Sequence, residues 1–130
     1  MTTEARIVLL VALGGALGAL LRYGTGAAFG RGPFPYATLV VNVVGSFLLA
    51  LLLFHDLERG TLGPASRAFF AIGLLGAFTT MSTFSHETLA LWLDGRSGQA
   101  VLNIALNIGL SIGAVVAGRW TIMLIERSAT

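Results

Sequence analysis

The sequence predicts an all-α membrane protein with four transmembrane helices, the third of them broken. The chain has 130 residues, of which 55% are hydrophobic and 11% charged, against about 25% charged in an ordinary soluble domain. A transmembrane helix needs about 20 apolar residues, so four spans occupy most of the chain. We therefore expect one domain over residues 1–130, with spans over residues 7–22, 36–54, 68–93 and 100–125.

Each span ends where charged or helix-breaking residues begin. Arg6 and Arg22 bound the first span, and the glycine- and proline-rich residues 24–35 are predicted to end its helix. An apolar N-terminal run is also typical of a secretory signal, but the rest of the chain is equally apolar, which favours a membrane helix. The second span ends at the polar residues 55–60, and the third at the turn 94–96.

The basic residues indicate how the spans insert. All eight are arginines, and they are scattered rather than clustered, so they do not indicate a nucleic-acid partner. Four spans place five of them on the side of the termini (Arg6, Arg59, Arg67, Arg119, Arg127) and three on the other (Arg22, Arg31, Arg96). Orientation follows arginine and lysine in short loops, so this small bias favours insertion in both orientations and hence an antiparallel homodimer.

Glycines at a spacing of four occur in the first and last spans. Gly14 and Gly18 form one pair, and Gly109 and Gly113 form the other. Such spacing lets helix backbones approach closely in a membrane. In a chain with 17 glycines, the same spacing also arises by chance, and the sequence leaves both interpretations open.

Five hydroxyl residues crowd into the middle of the third span, where residues 79–85 read Thr-Thr-Met-Ser-Thr-Phe-Ser. One or two hydroxyls in a membrane helix bond back to the preceding turn and only bend it. Five within seven residues, flanked by Gly73 and Gly76, predict an unwound segment instead. Broken membrane helices are tolerated where they line a cavity, and their carbonyl groups can coordinate a cation.

Two polar stripes occur in the neighbouring spans, each with a spacing of four that puts its members on one helix face. They are Thr38, Asn42 and Ser46 in the second span, and Asn103, Asn107 and Ser111 in the fourth. Hydrogen bonds between helices explain an isolated asparagine, whereas two stripes beside a broken helix favour a polar path. Cation and proton paths usually contain intramembrane acids, and Glu87 is the only acid well inside a span, so the path suits an anion.

Three motifs in order resemble the Fluc (CrcB) family of microbial fluoride channels. They are Gly-Gly-Ala-Leu-Gly-Ala-Leu-Leu-Arg-Tyr at 14–23, Ala-Thr-Leu-Val-Val-Asn-Val-Val-Gly at 37–45, and Gly-Ala-Phe-Thr-Thr-Met-Ser-Thr-Phe-Ser at 76–85, followed by Glu87. The resemblance covers all four spans. It implies a dual-topology homodimer in the cell (inner) membrane, inserted in both orientations, which exports cytoplasmic fluoride passively through two pores and protects the cell from fluoride toxicity.

The resemblance also implies roles for individual residues. Backbone carbonyls of Gly76 and Thr79 from both subunits would hold one structural sodium ion, Na+, at the dimer centre. The family's two anion-facing phenylalanines correspond to Phe84 and to Met81, where this chain departs from the pattern. The other implied pore or vestibule residues are Asn42, Thr83, Ser82, Ser111, Asn107, Thr38 and Arg22.

Glu87 fits an anion path poorly, since a carboxylate repels an anion. It either pairs with Arg22, accepts hydrogen bonds from neighbouring hydroxyls, or lies at the membrane interface. The leading alternative function is a small multidrug-resistance-type proton-coupled exporter, which depends on a glutamate in the first span, where this chain has none. A non-transporting membrane subunit is a third candidate. An enzyme is least favoured, because no nucleophile–base pair or metal-ligand set is evident.

Overall fold

A computed structural model describes residues 2–30 and 32–128 of the chain, so Arg31 lies outside the described residues. The helices are α1 (Thr3–Phe29), α2 (Tyr36–Arg59), α3 (Pro64–Ser66), a π-helix (Arg67–Leu75), α4 (Gly76–Phe78), α5 (Met81–Leu93) and α6 (Ser97–Ser128). Four segments are long and apolar enough to cross a membrane, with Pro64–Leu93 as the third. This confirms an all-helical protein with four candidate spans.

Helix α1 extends beyond the predicted span 7–22 at both ends, and it ends within the glycine- and proline-rich residues 24–35. The Thr2 side chain accepts a hydrogen bond from the Ala5 backbone N–H at 3.3 Å and caps its start. Its end lies at Phe29, beyond Gly24 and Gly26, and Gly30 follows with a φ of 64°. A glycine inside a helix costs only about 1 kcal/mol relative to alanine, so the glycines alone do not end this helix.

Helix α2 ends in a turn that is tied to the start of the third span. Gly60 takes the left-handed conformation, and its N–H donates to the Asp56 carbonyl at 2.7 Å. Asp56 is 3% exposed, and its carboxylate accepts from the Leu62 backbone N–H at 2.7 Å and pairs with Arg67. The buried carboxylate of Asp56 thus accepts a hydrogen bond from a loop amide and forms an ion pair with the Arg67 guanidinium.

The third span is irregular in two places. Its first half is a nine-residue π-helix, which the apolar pattern did not predict and which is unusual because such helices mostly occur as single turns. The break lies at Thr79 and Thr80, whose backbones are extended, and Met81 already begins α5. The break is consistent with the prediction but spans two residues rather than the whole hydroxyl-rich segment 79–85.

Glycines bring α1 against the π-helix with no side chain between them. A Cβ atom on Gly14 would overlap the Phe69 carbonyl oxygen, and one on Gly18 would overlap that of Leu74. By contrast, a Cβ on Gly109 or Gly113 would meet no described atom within 4 Å. The first glycine pair therefore packs within the chain, and the second lies on a face that the single chain leaves open.

Helices α2 and α6 pack along each other and are joined at their C-terminal ends. Gly118 of α6 lies against Ala50 and Phe47 of α2. The Arg59 guanidinium donates to both oxygens of Glu126, with Nε–O distances of 2.9 Å. These contacts, with those of α1 on the π-helix, bring the break in the third span against the polar face of α2.

We expect Gly18→Ala to destabilise the folded chain by about 2 kcal/mol, because the added methyl group must displace a helix backbone. Gly24→Ala is the matched control on the same helix, since its Cβ would meet no described atom within 4 Å. Chemical unfolding in detergent micelles, followed by circular dichroism, measures both. Equal stability of the two variants would contradict the backbone contact between α1 and the π-helix.

Candidate functional site

The site is the break in the third span, and it is held open by a side chain of α2. The Thr80 backbone N–H donates to Asn42 Oδ1 at 2.8 Å instead of to the Gly76 carbonyl four residues earlier. The helix then restarts at once, because the Thr80 hydroxyl accepts from the Thr83 backbone N–H at 3.2 Å as an N-cap. Asn42 therefore replaces the helical hydrogen bond that the break removes.

The amide of Asn42 is fully used within the chain. Its Nδ2 donates to the Thr80 carbonyl at 3.1 Å and to Asn107 Oδ1 at 3.0 Å. An asparagine amide has two hydrogens to donate, so both are engaged between α2, the break and α6. Asn42 lies at the break as the sequence predicts, but in the single chain it spans helices rather than presenting a free donor.

The polar stripe of α6 lies mostly inside the bundle. Asn103 is 0% exposed and Asn107 is 4% exposed. Asn107 Nδ2 donates to Asn103 Oδ1 at 2.8 Å, and Asn103 Nδ2 donates to the Thr88 hydroxyl at 2.9 Å. The Thr88 hydroxyl in turn donates to the Phe84 carbonyl at 2.7 Å. No sequence pattern singled out Thr88, although it lies four residues after Phe84 on the same helix face.

Two cavities meet at Thr80. The first, of about 310 Å³, is lined by Asn42, Met81, Phe84, Asn107 and Ser111 together with Thr80. The second, of about 350 Å³, is lined by Arg22, Thr38, Thr83 and Glu87 together with Thr80. The residues predicted for the pore, except Ser82, each line one of these two cavities, and Thr80 lines both.

The predicted residues at and near the break differ in exposure. Phe84 is only 5% exposed, whereas Met81 is 69% exposed on the outer side of the first cavity. Ser82 is exposed, and its hydroxyl lies 3.3 Å from that of Thr80. Gly76 is also exposed. Exposed polar residues therefore lie beside the break in the middle of an apolar span, although Thr80 itself is 7% exposed.

Glu87 lies deeper than its charge would suggest. It lines the second cavity and also a third, of about 320 Å³, that includes His86, Asp94 and Arg96. Oε2 of its carboxylate is buried without a hydrogen-bond partner, and Thr38 lines the second cavity beside it. Arg22 lines the same cavity, but its described hydrogen bond goes to the Thr79 carbonyl, at 3.4 Å. The Thr38 hydroxyl belongs to the same cavity lining as Glu87, and the described hydrogen bonds join Glu87 neither to it nor to Arg22.

The backbone at the break offers oxygen ligands of the kind that suit sodium. Within residues 2–30 and 32–128, no group of three His, Asp or Glu side chains could hold a metal ion. The Gly76 carbonyl, however, lacks the Thr80 N–H that a continuous helix would supply. The Thr79 carbonyl accepts from Arg22, and a carbonyl oxygen has two lone pairs. Both oxygens therefore keep lone pairs that the described hydrogen bonds leave unused.

Comparisons with known proteins agree on one family. The family described as "CrcB-like protein, Camphor Resistance (CrcB)" matches residues 9–119. A protein of Sulfurihydrogenibium sp., named "Fluoride-specific ion channel FluC", is 48% identical over 113 residues, 85% of this chain and 91% of that protein. A protein of that name from Thermus thermophilus is 56% identical over 98 residues, 72% of this chain and 77% of that protein. One from Shewanella halifaxensis is 47% identical over 116 residues, 86% of this chain and 92% of that protein.

Proposed function

This chain belongs to the CrcB family, and on that premise we propose that it is a channel, rather than an enzyme, that exports fluoride passively across the cell membrane. The observation that carries the proposal is the pair of cavities that meet at Thr80 in the broken third span. Relatives that cover most of this chain bear the name of fluoride-specific ion channels. Passive export would protect the cell from fluoride toxicity.

The lining of the cavities suits a small, strongly hydrated anion. Fluoride that enters a narrow path loses water, and the path must return hydrogen bonds for those removed. Hydroxyl groups do this without a fixed charge that would bind the ion too tightly. Thr83 and Ser111 supply such groups, one to each cavity. Both amide hydrogens of Asn42 are already donated within the chain. Asn42 would therefore either shape the path or break one of these hydrogen bonds in order to donate to fluoride.

A second, inverted copy of the chain would complete the path. Ser82, Thr83 and Gly76 are exposed at the break, although polar groups facing hydrocarbon are costly. On α6, Gly109 and Gly113 face open space in the single chain, as expected of a face that another helix approaches closely. A partner that covers the break would add its own cavities. We therefore propose an antiparallel homodimer with two pores, inserted in both orientations in the inner membrane.

Sodium at the centre of this dimer would hold the two breaks together. The carbonyls of Gly76 and Thr79 are the oxygens that each subunit would offer, and they lie beside the surface that we assign to the partner. A bound cation there would be coordinated by carbonyl oxygens that lack helical partners. Asn42 keeps the Gly76 oxygen available, because it has taken the Thr80 N–H, and the described bond to the Thr79 oxygen comes from Arg22.

The proton-coupled exporter receives no support from the structure. Within the described part of α1, Glu4 in the first turn is the acid present, far from the centre of the span. Among the described residues, Asp56 is buried near the end of α2, and Glu87 lies on α5 beside hydroxyls and Arg22. A cationic drug site with a glutamate in the first span is therefore not the arrangement found.

Fluoride efflux from liposomes tests the proposed function directly. Vesicles loaded with potassium fluoride and containing the purified chain should release fluoride after valinomycin addition, as read by a fluoride electrode. Vesicles loaded with potassium chloride should release chloride no faster than protein-free vesicles. Fluoride release at the rate of protein-free vesicles, or equal release of chloride, would overturn the proposal.

Met81→Phe tests the residue at which this chain departs from its family's motif. We expect the variant to conduct fluoride at least as fast as the wild type, because an aromatic ring presents a positive edge to an anion and a thioether does not. Leu89→Phe, at an exposed position two turns further along α5, is the matched control and should leave the efflux rate unchanged. Loss of efflux in Met81→Phe, with unchanged efflux in Leu89→Phe, would contradict this expectation.

Removal of sodium tests the proposed ion. When N-methyl-D-glucamine replaces Na+ on both sides of the vesicle, we expect fluoride efflux to fall and to return when Na+ is restored. Lithium in place of Na+ should not restore efflux if the site selects its ion by size. A general salt effect would be the same with lithium as with Na+. Full efflux in thoroughly sodium-depleted vesicles would contradict a sodium ion that the channel needs.

A further inference from the structure

Three asparagines and one threonine form an unbroken chain of hydrogen bonds between two backbone groups of the third span. It begins at the Thr80 N–H and runs through the side chains of Asn42, Asn107, Asn103 and Thr88 to the Phe84 carbonyl. Every link is 3.0 Å or shorter. We name it the amide relay. It leaves the third span at the break, crosses α2 and α6, and returns to the same span one turn later.

The two ends of the amide relay fix the direction of every bond in it. A backbone N–H can only donate, so the Thr80 end must meet the oxygen of Asn42. A backbone carbonyl can only accept, so the Phe84 end must meet the hydroxyl hydrogen of Thr88. Each amide between them must then turn its oxygen toward Thr80 and its nitrogen toward Thr88. One reversed amide would bring two acceptors or two donors together.

Asn103 contributes to the amide relay without touching either cavity at the break. It is 0% exposed and lines none of the cavities described above. Asn107 Nδ2 donates to Asn103 Oδ1 at 2.8 Å and also to the Asn103 backbone carbonyl at 3.2 Å, and the Asn107 oxygen faces Asn42. The side-chain bond is the shorter of the two and is the one that a substitution at Asn103 removes. A buried polar group without a partner is costly, so the arrangement of Asn103 restricts that of the next amide.

We propose that Asn103 is a positioning residue that holds the break open from a distance. Asn103 orients Asn107, Asn107 orients Asn42, and Asn42 keeps the Thr80 N–H away from the Gly76 carbonyl. The role of Asn103 in ion conduction rests on the proposed function, whereas its effect on the backbone of Thr80 does not. If the asparagines were independent links between helices, changing Asn103 would affect only its immediate neighbours.

Hydrogen exchange of the Thr80 amide in the full chain, reconstituted in nanodiscs and followed by NMR, tests the amide relay. In Asn103→Leu, which keeps the volume but removes the amide, we expect Thr80 to exchange about tenfold faster than in the wild type. Fluoride efflux should fall in the same variant. Thr121→Val is the matched control, because Thr121 lies on the same helix, and its described hydrogen bond is an exposed one to the Ala117 carbonyl. Unchanged exchange at Thr80 in a folded Asn103→Leu would overturn the proposal.

A second pair of variants covers the case in which Asn103→Leu does not fold. Thr88→Val removes the acceptor of Asn103 but keeps the side-chain shape, and Thr88→Ser restores the hydroxyl. Thr88 lies eight residues, or about 12 Å along a helix, from Thr80. Faster exchange at Thr80 in Thr88→Val, with wild-type exchange in Thr88→Ser, supports the relay, and wild-type exchange in both overturns it. If the wild type carries no fluoride but the exchange results hold, the proposed function fails and the relay stands.

Discussion

The hydrogen bond from the Thr80 backbone to Asn42 is the contact on which the site depends. In hydrocarbon a membrane helix cannot leave its backbone groups unpaired, so a break needs a partner that replaces the lost helical bond. Asn42 supplies that partner at 2.8 Å, and with its other atoms it bonds the Thr80 carbonyl and Asn107. The N–H and the carbonyl of Thr80 are thus both bonded at the break. Because Asn42 has taken that N–H, the Gly76 carbonyl is left to face another ligand.

The packing around the break follows from small residues at a few positions. Gly14 and Gly18 let α1 lie directly on the carbonyls of the π-helix, which steadies the first half of the third span. Gly45 of α2 does the same at the break itself, where a Cβ atom would overlap the Thr79 side chain. The second half of the span is held from the other side by α6. Each half of the broken helix therefore has its own support, and Thr79 and Thr80 bridge two separately anchored pieces.

The sequence predicted the spans and the position of the break well, but it did not predict which side chains are hydrogen-bonded there. Long apolar runs indicate four helices, and the crowding of hydroxyls around Thr80 indicates a break, because both features depend on local composition. The sequence did not predict the π-helix. In a segment that is apolar almost throughout, the pattern of residues does not show whether its hydrogen bonds are four or five residues apart. Spacing put Asn103 and Asn107 on one face, but spacing cannot say that two amides would bond to each other. That arrangement depends on Thr88 and Asn42, which other parts of the chain bring into place.

The common direction of the bonds in the amide relay also has an electrical consequence. An amide carries a dipole of about 3.5 D with its positive end on the nitrogen side, and each of the three amides turns its nitrogen toward the next group of the relay, in the order from Thr80 to Thr88. Asn107 and Asn103 are one turn apart on α6, so the bond between them adds a component along the axis of that helix. In the antiparallel homodimer that we propose, the two relays would run in opposite directions and these components would cancel. A channel built in this way would present the same field to an ion arriving from either side.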